Sequence, residues 1–233
     1  MIRIEHLTKK FGKLTVLDDL SFSIDKPGIF AILGPNGSGK TTILKILLGM
    51  VVPQSGKVFI DDASILGTWD YRHQIGYLPQ IARFPDNLSV RELIHMIKDI
   101  REGEANEDHL VTKFRLEPFL DKKLGNLSGG TRQKVNIMLT FMFDSPILIL
   151  DEPTAGLDPV SLIDLKELIE EEKAKGRIIL ITTHIMPLVE ELADEILFLL
   201  EGKMYFKGTI SELGTKTGKQ NLEHSIASIL SHD

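Results

Sequence analysis

The chain has 233 residues, of which 42% are hydrophobic and 26% are charged, and its formal net charge is −6 at pH 7. This length suits one large α/β unit or two modest lobes that share a core. An acidic balance without a dense Lys/Arg block argues against a surface for nucleic acid or anionic lipid, so nucleic acid is not an expected partner. The absence of cysteine from the sequence excludes disulfides and Cys-based metal sites.

The sequence also predicts no direct membrane insertion. Residues 1–5 read MIRIE, whose charges at alternate positions are not typical of a secretory signal. The longest apolar stretch, residues 137–150, is interrupted by Asp144 and Pro146 and is shorter than a bilayer span. Work at a membrane would therefore require recruitment by another protein.

The N-terminal region alternates short β-rich runs with turn signals. The strands predicted there cover residues 2–7, 14–17, 21–24 and 29–33. Residues 34–41 follow directly, read GPNGSGKT and fit the pattern G-x-x-x-x-G-K-[ST], and a helical apolar spacing comes next. Strand, loop and helix in this order are the context that a phosphate-binding loop requires.

Each residue type in this loop has a physical role. Glycines allow backbone N–H groups to turn inward around phosphate oxygens, and the following helix presents its positive end to the anion. Lys40 is expected to reach the β- and γ-phosphates, and the Thr41 hydroxyl to ligate Mg²⁺. The candidate nucleotide-binding residues here are Gly34, Asn36, Gly37, Ser38, Gly39, Lys40, Thr41 and Thr42.

The middle of the chain changes from β/α to helical character. Strands are predicted over residues 57–60 and 75–78, the second ending at Pro79 and Gln80. Beyond them, helical spacing appears over residues 89–101, 107–116 and 130–143. We interpret residues 81–145 as an inserted helical lobe.

The last third returns to β/α character. The predicted elements are a strand over 146–150, a helix over 159–175, a strand over 177–182, a short helix over 187–193, and a hairpin of 195–200 with 203–208. The tail is polar and weakly patterned, although residues 221–230 have the spacing of a short amphipathic helix. Strands separated by helices predict a largely parallel sheet, with ligands at the carboxyl ends of its strands.

Two adjacent carboxylates end the strand over 146–150. Side chains alternate along a strand, so Asp151 and Glu152 are not expected to serve one ligand in the same way. In phosphoryl-transfer terms, Asp151 would hold Mg²⁺ and Glu152 would polarise the attacking water. The alternative is a solvated acidic turn, which is common after a strand.

A second glycine-rich element, LSGGTRQ, spans residues 127–133 and opens a helix. Ser128, Gly129 and Gly130 offer a hydroxyl and bare backbone N–H donors at a positive helix end. One chain thus has two anion sites that are distant in sequence. Each site could bind its own nucleotide, or two chains facing head to tail could share each nucleotide.

Together these motifs make the chain resemble the nucleotide-binding subunits of ABC transporters over about residues 1 to 210. The resemblance implies a P-loop NTPase (RecA-like) α/β core with a mostly parallel sheet, an N-terminal antiparallel β subdomain and an inserted helical subdomain. Residues 1–80 and 146–210 would form the nucleotide-binding core, 81–145 the helical subdomain and 211–233 a short C-terminal tail of one ATPase domain.

The resemblance also assigns roles to single residues. Gln80 matches the glutamine that touches Mg²⁺, and His184 matches the switch histidine that hydrogen-bonds the γ-phosphate. Asp158 matches the loop that crosses the dimer interface. Phe11 matches the aromatic that stacks on adenine, although the family more often has Tyr there and a core Phe is the alternative.

The resemblance further implies that Ser128 and Gly130 contact the γ-phosphate of ATP held by a second ATPase subunit. Two ATP molecules would then be sandwiched in a dimer that closes on ATP and reopens after hydrolysis. Thr131 stands where the family usually has Gln, which leaves Ser128 and Gly130 intact. The implied partner is an integral membrane permease, with this chain on the cytoplasmic face of the membrane.

Residues 81–88 match the groove that receives a cytoplasmic helix of the membrane subunit. Phe84 and Leu88 are either apolar anchors in it or core residues of the helical lobe. The short C-terminus is similar to that of ATPases in two-component exporters. The overall sequence loosely resembles the ATPase of copper-processing systems that serve nitrous-oxide reductase. The histidines show no metal-ligand spacing.

Other classes account for fewer of these features. A GTPase should carry an Asn-Lys-x-Asp element, which the sequence lacks, and a small-molecule kinase would leave residues 127–133 unexplained. An ABC module without hydrolysis disagrees with the intact Glu152 and His184. The alternative that remains is a soluble ABC ATPase with a role in assembly or maturation.

Overall fold

The computed structural model describes residues 1–101 and 103–231, which divide into two compact units. The first unit comprises Met1–Arg72 and Ile178–Asp233, and the second comprises His73–Arg177. Residue 102 of the predicted helical lobe and residues 232 and 233 of the predicted tail lie outside the described residues. The domain boundaries drawn from the sequence stay a prediction.

The chain contains ten strands and eight α-helices in the described residues 1–101 and 103–231. The strands are β1 (Ile2–Phe11), β2 (Leu14–Ile24), β3 (Gly28–Leu33), β4 (Ser55–Ile60), β5 (Ala63–Ser64), β6 (Ile75–Leu78), β7 (Ile147–Asp151), β8 (Ile178–Thr182), β9 (Glu195–Leu200) and β10 (Lys203–Gly208). The α-helices are α1 (Lys40–Leu47), α2 (Val90–Ile100), α3 (Glu107–Lys113), α4 (Gly129–Phe141), α5 (Pro159–Ala174), α6 (Met186–Leu192), α7 (Ile210–Thr217) and α8 (Leu222–Leu230).

The first unit contains strands of both sheet types. In the antiparallel sheet the order is β2-β1-β4-β5, and its register places Ile2 opposite Ile24 and Ile60. Strand β3 lies between β8 and β9 and is parallel to both, while β10 closes an antiparallel hairpin with β9. All six residues of β3 are buried, as expected for a central parallel strand covered on both faces.

The second unit is mostly helical around one pair of strands. Strands β6 and β7 are parallel, and β7 is buried along its whole length. Helix α2 begins with a capping box, in which Ser89 accepts from the Glu92 N–H and the Glu92 carboxylate accepts from the Ser89 N–H. Helix α4 buries apolar side chains such as Val135 and Ile137 in this unit.

The predicted α/β class, with an antiparallel N-terminal sheet, a mostly parallel sheet and helices, is confirmed. One difference concerns β2, which is continuous where the sequence predicted two strands. The acidic pair Asp18 and Asp19 breaks the apolar alternation, but Asp19 has a φ of 53° at an irregularity in the register and the strand continues past it.

The C-terminal residues form two helices where the sequence predicted one. Helix α8 matches the predicted amphipathic segment, and α7 was missed although Thr209 and Glu212 form a capping box at its start. Both helices are anchored in the first unit, because Leu213 and Leu222 pack with Leu33 and Phe198. The tail therefore covers the sheet at the strand that leads into the glycine-rich loop.

Candidate functional site

The glycine-rich loop connects the buried strand β3 to helix α1 in the first unit. Gly37 and Gly39 have φ values of 83° and 103°, a region that favours glycine. A Cβ on Gly39 would lie 2.5 Å from the Leu17 side chain and 3.0 Å from the Val16 carbonyl oxygen, so the close approach of β2 requires glycine there as well. The loop is therefore held in one shape before any ligand binds.

The polar side chains of the loop fit a phosphate ligand. The Lys40 ammonium donates to the carbonyl oxygens of Gly34, at 2.6 Å, and Pro35, at 3.0 Å, which holds it over the loop. Ser38 is buried, and within residues 1–101 and 103–231 its hydroxyl has no hydrogen-bond partner. A buried hydroxyl of this kind calls for a polar ligand, and phosphate oxygens supply the acceptors.

The other candidate residues of the loop lie nearer the surface. Asn36 and Thr41 are exposed and Thr42 is half-buried. Their hydroxyl and amide groups lie at the start of α1, where backbone N–H groups and the helix dipole favour an anion. The loop thus combines a cation, hydroxyls and a helix N-terminus.

His184 and the loop leave the same edge of the sheet in the first unit. Strands β3 and β8 run in parallel with Ile32 opposite Thr182, so the residues after each strand emerge at one edge. The His184 side chain is exposed there, next to the turn in which the Thr183 hydroxyl accepts from the Ile185 N–H. The structure thus brings the predicted switch histidine to the edge that carries the loop.

Phe11 ends β1 on the other sheet of this unit. Its side chain is 50% exposed, and the Lys9 ammonium lies 4.8 Å from the ring centroid. The exposure rules out the alternative of a core Phe. One face of the ring already carries a cation–π contact, and an exposed aromatic ring of this kind offers a stacking surface.

Gln80 and the two acids leave one edge of the strand pair in the second unit. Leu78 lies opposite Leu150 in the parallel register of β6 and β7, and Gln80 and Asp151 follow these positions. Asp151 is buried and Gln80 is exposed. Burial, and to a lesser degree the Asp151 carboxylate, raise the pKa of the Tyr77 phenol.

Glu152 has an unusual backbone for a residue at the end of a strand. Its φ is 50°, in the left-handed region that non-glycine residues rarely adopt. Such conformations persist only where the surrounding structure holds them, and they cluster at functional sites. Asp151 is buried whereas Glu152 is half-buried, so the two adjacent carboxylates have different environments.

The second glycine-rich element forms the start of α4, as the sequence predicted. Ser128 is the N-cap, and its hydroxyl accepts from the Thr131 N–H at 3.2 Å and shares a 2.8 Å hydrogen bond with the Thr131 hydroxyl. Ser128 and Gly129 are exposed, so the hydroxyl and the first N–H groups of the helix face solvent. The Thr131 that replaces the usual Gln is thus the partner of the Ser128 hydroxyl.

Gly130 of α4 lies against the segment that follows β7, and Asp158 belongs to that segment. A Cβ on Gly130 would lie 2.7 Å from the Gly156 carbonyl oxygen, so only glycine fits that contact. Asp158 caps α5 by accepting from the N–H and hydroxyl of Ser161, and its carboxylate lies 2.8 Å from the Lys134 ammonium. The hydrogen bond from Lys134, with those from Ser161, holds the pKa of Asp158 well below its usual range.

Sequence reasoning missed a row of buried polar side chains on α4. The Gln133 amide donates to the Pro153 carbonyl at 3.0 Å, and the Thr140 hydroxyl donates to the carbonyls of Tyr77 and Asn136. These side chains lie at helical spacing, and the Asn136 amide donates to Gln133 between them. The signal in the sequence was the polar residues at 133, 136 and 140 within an otherwise apolar helix.

A groove of about 310 Å³ in the second unit is lined by Ile81, Ala82, Arg83, Phe84, Asp86, Leu124 and Arg132. Phe84 lines it together with Ile81, which is 70% exposed, and Arg132 contributes its guanidinium. Leu88 is half-buried and is not part of the lining. The groove has apolar side chains beside two arginines and the Asp86 carboxylate, so it suits an amphipathic protein segment.

Across residues 1–101 and 103–231, the helices are too short or too polar to cross a lipid bilayer.

Comparison with known proteins identifies relatives over nearly the whole chain. The model of the ABC transporter family matches residues 17–155. The lantibiotic transport ATP-binding protein SrtF of Streptococcus pyogenes is 34% identical, over 96% of this chain and 94% of the relative. The Nod factor export ATP-binding protein I of Ralstonia nicotianae is also 34% identical, over 92% of this chain and 69% of the relative.

Solved structures agree with these relatives. An ATP-binding subunit of an ABC transporter has a TM-score of 0.92 at 29% identity, with 99% of each chain covered. A dimeric ATP-binding cassette in a post-hydrolysis state, bound to ADP and Pi, has a TM-score of 0.79 at 25% identity, with 90% of this chain and 98% of that chain covered.

Proposed function

The chain belongs to the ABC transporter family as an ATP-binding, ATP-hydrolysing subunit, and from this premise we propose that two copies close on ATP and drive export through a separate membrane permease. The relative named for Nod factor export supports the export direction. The permease would hold the subunit on the cytoplasmic face of the membrane. The groove lined by Ile81, Phe84 and Arg132 is the surface proposed to receive it.

The first unit is proposed to bind the nucleotide. Lys40 neutralises charge on the β- and γ-phosphates, the backbone N–H groups of residues 36–42 donate to them, and the buried Ser38 hydroxyl donates to a phosphate oxygen. His184 hydrogen-bonds the γ-phosphate, and the exposed ring of Phe11 stacks on adenine. Charged and polar groups thus bind the phosphates of ATP, and an aromatic ring binds its base.

The second unit is proposed to supply the hydrolytic groups. Glu152 accepts a proton from the attacking water, and Gln80 orients that water. Ser128, Gly129 and Gly130 bind the γ-phosphate of the ATP held by the partner copy, and Asp158 lies at the interface between copies.

Mg²⁺ is a proposed cofactor whose fit rests on the donors present. Thr41, Gln80 and Asp151 offer hydroxyl, amide and carboxylate oxygens, the hard ligands that Mg²⁺ prefers. When bound, the ion supplies positive charge to the phosphates.

The observation that carries the proposal is the carboxyl edge of β6 and β7. There a buried Asp151 precedes a left-handed Glu152, and Gln80 leaves the neighbouring strand. A solvated acidic turn would not need either the burial of Asp151 or the strained backbone of Glu152. This arrangement separates a metal-binding carboxylate from a base.

The test is the Glu152→Gln variant of the full chain. We expect ATP turnover to fall by a factor of about 1,000, because the amide cannot accept a proton. ATP should still drive dimerisation, measured by size-exclusion chromatography, because the nucleotide contacts are unchanged.

A matched control is Glu201→Gln. Glu201 is also a glutamate with left-handed φ, 49°, but lies in the turn between β9 and β10. We expect its turnover to equal that of the unmodified chain. A Glu152→Gln variant that still hydrolysed ATP would remove Glu152 from the role of base.

A further inference from the structure

Gln133 is a buried amide that reaches the residue next to Glu152. It lies one turn into α4, is 6% exposed, and its Nε2 donates to the Pro153 carbonyl at 3.0 Å. Both groups are shielded from water, so neither has a solvent partner to replace the other. The bond therefore fixes the turn directly after Glu152.

Glu152 depends on such a restraint. Its left-handed backbone is intrinsically unfavourable, and the surrounding contacts must maintain it. Pro153 has a fixed φ and no N–H, so its carbonyl is the one polar backbone group that this residue offers to a neighbouring side chain. Gln133 supplies the donor, while the Ala155 N–H bonds the Glu152 carbonyl more weakly, at 3.3 Å.

Helix α4 follows the whole segment after β7 rather than touching it once. Gly130 approaches the Gly156 carbonyl, and Lys134 pairs with Asp158, one turn further along the helix. Gln133 lies between these contacts and makes the one nearest to Glu152. The N-cap of the same helix is Ser128, so the helix that begins at Ser128 also holds the turn after Glu152 through Gln133.

We propose that Gln133 is a positioning residue for hydrolysis: its hydrogen bond to Pro153 holds Glu152 in the orientation needed to take a proton from water. This inference rests on the proposed function of Glu152. The orientation of Glu152 then depends on the position of α4. In the proposed function, the N-terminus of this helix contacts a nucleotide through Ser128. Contact of Ser128 with one nucleotide thus supports hydrolysis of the other.

The test is Gln133→Met, which keeps the length of the side chain and removes the donor. We expect kcat for ATP to fall about tenfold, because the Pro153 carbonyl loses its partner and Glu152 is less well aimed. The KM for ATP should change less than twofold, since the nucleotide contacts are elsewhere. The Hill coefficient for ATP should move toward 1.

A second measurement separates positioning from general damage. If hydrolysis is slow while the nucleotide contacts are intact, the ATP-driven dimer of Gln133→Met should persist longer than that of the unmodified chain, as expected for Glu152→Gln. Size-exclusion chromatography measures this persistence. A variant with merely lower stability would instead lose turnover and dimer together. Lys113→Met removes an ion-pairing ammonium from the same unit, at Glu167 and Glu171, and should leave kcat unchanged.

Two results would overturn the inference: an unchanged kcat in Gln133→Met, or a parallel loss of turnover and dimer. Either is distinguishable from failure of the proposed function. That failure would appear in the unmodified chain as absent ATP turnover, or as normal turnover in Glu152→Gln.

Discussion

The two glycine-rich elements, the loop over residues 34–41 and the start of α4, are built on different principles. In the loop, Gly37 and Gly39 take left-handed φ values that side chains disfavour. At the start of α4 the glycines are ordinary helical residues, and Ser128 caps the helix from an extended backbone conformation. The loop therefore requires glycine for its backbone conformation. At the start of α4 the important features are the Ser128 hydroxyl and, at Gly130, the close approach of the Gly156 carbonyl.

This difference predicts where each element fails. A side chain in the loop strains the backbone even where space is open, while a side chain at the helix start matters only if it meets a neighbour. The loop conformation is set within its own unit, whereas under the proposed function the helix start binds an anion only when a second copy brings a phosphate to it. Variants at the two elements should therefore separate nucleotide binding from dimerisation.

The largest effect is expected from Ser128→Arg. We expect ATP-driven dimerisation to weaken by about 100-fold or more, because a long charged side chain replaces the small cap that faces the partner's phosphate. ATP binding by the single subunit should persist, since the loop around Lys40 is untouched. Size-exclusion chromatography and a nucleotide-binding titration measure the two properties.

Unchanged dimerisation in Ser128→Arg would contradict the shared site and would favour one nucleotide per element within each chain. Ser128→Thr is the matched control, because it keeps a capping hydroxyl.

An intermediate effect is expected from alanine at the glycines of the two elements. Gly130→Ala should lower the free energy of unfolding by about 1 to 3 kcal/mol, because its Cβ would meet the Gly156 carbonyl at 2.7 Å. Gly37→Ala has open space and should cost about 1 kcal/mol through its φ of 83° alone. Chemical denaturation measures both variants.

Gly129→Ala is the control for this series. It is helical and has nothing within 4 Å of a built Cβ, so alanine should be neutral or stabilising by up to about 1 kcal/mol. A destabilised Gly129→Ala, or a harmless Gly130→Ala, would show that contact with Gly156 is not what requires glycine at position 130.

The smallest effect is expected at Asp158. Asp158→Ala should lower Tm by roughly 2 to 4 °C at pH 7, because α5 loses its N-cap and Lys134 loses its partner. The pKa of Asp158 is lowered in the folded state, so its ionised carboxylate stabilises the fold above the unfolded pKa of about 4. That contribution is lost as pH falls below about 4 toward the folded pKa.

Thermal unfolding at pH 7 and at pH 3 measures this dependence. The Tm difference between the unmodified chain and Asp158→Ala should be smaller at pH 3. An equal difference at both pH values would mean that the ionised state of Asp158 contributes nothing.

The motif residues were predictable because their chemistry is local in sequence. Residues 34–41 and 127–133 each contain their own glycines, hydroxyls and helix start, and the family that they indicate is confirmed. The α/β class followed from apolar runs such as Ile147–Asp151. The specific roles of Phe11, Gln80, Glu152 and His184 stay predictions, as does the resemblance to copper-processing ATPases.

What the sequence could not show depends on contacts between distant residues. In the sequence Gln133 is only a polar residue on a predicted helix. Its role depends on the hydrogen bond to the Pro153 carbonyl, which the structure shows. The left-handed backbone of Glu152 has no local signal, because glutamate does not favour it. Continuous β2 was divided in the prediction because pairing with β1 outweighs the weak strand preference of Asp19.

The paired hydroxyls of Ser128 and Thr131 have a consequence for reopening. When a phosphate leaves the start of α4, the Ser128 hydroxyl still has Thr131 at 2.8 Å, so it returns to an existing partner. The Ser128 hydroxyl is then not left without a hydrogen-bond partner when the phosphate departs. Separation of the two copies is therefore more favourable than it would be for a cap whose only partner is the phosphate. If the proposed function is right, Thr131 would replace the phosphate as partner of the Ser128 hydroxyl and would ease the opening of the dimer after hydrolysis.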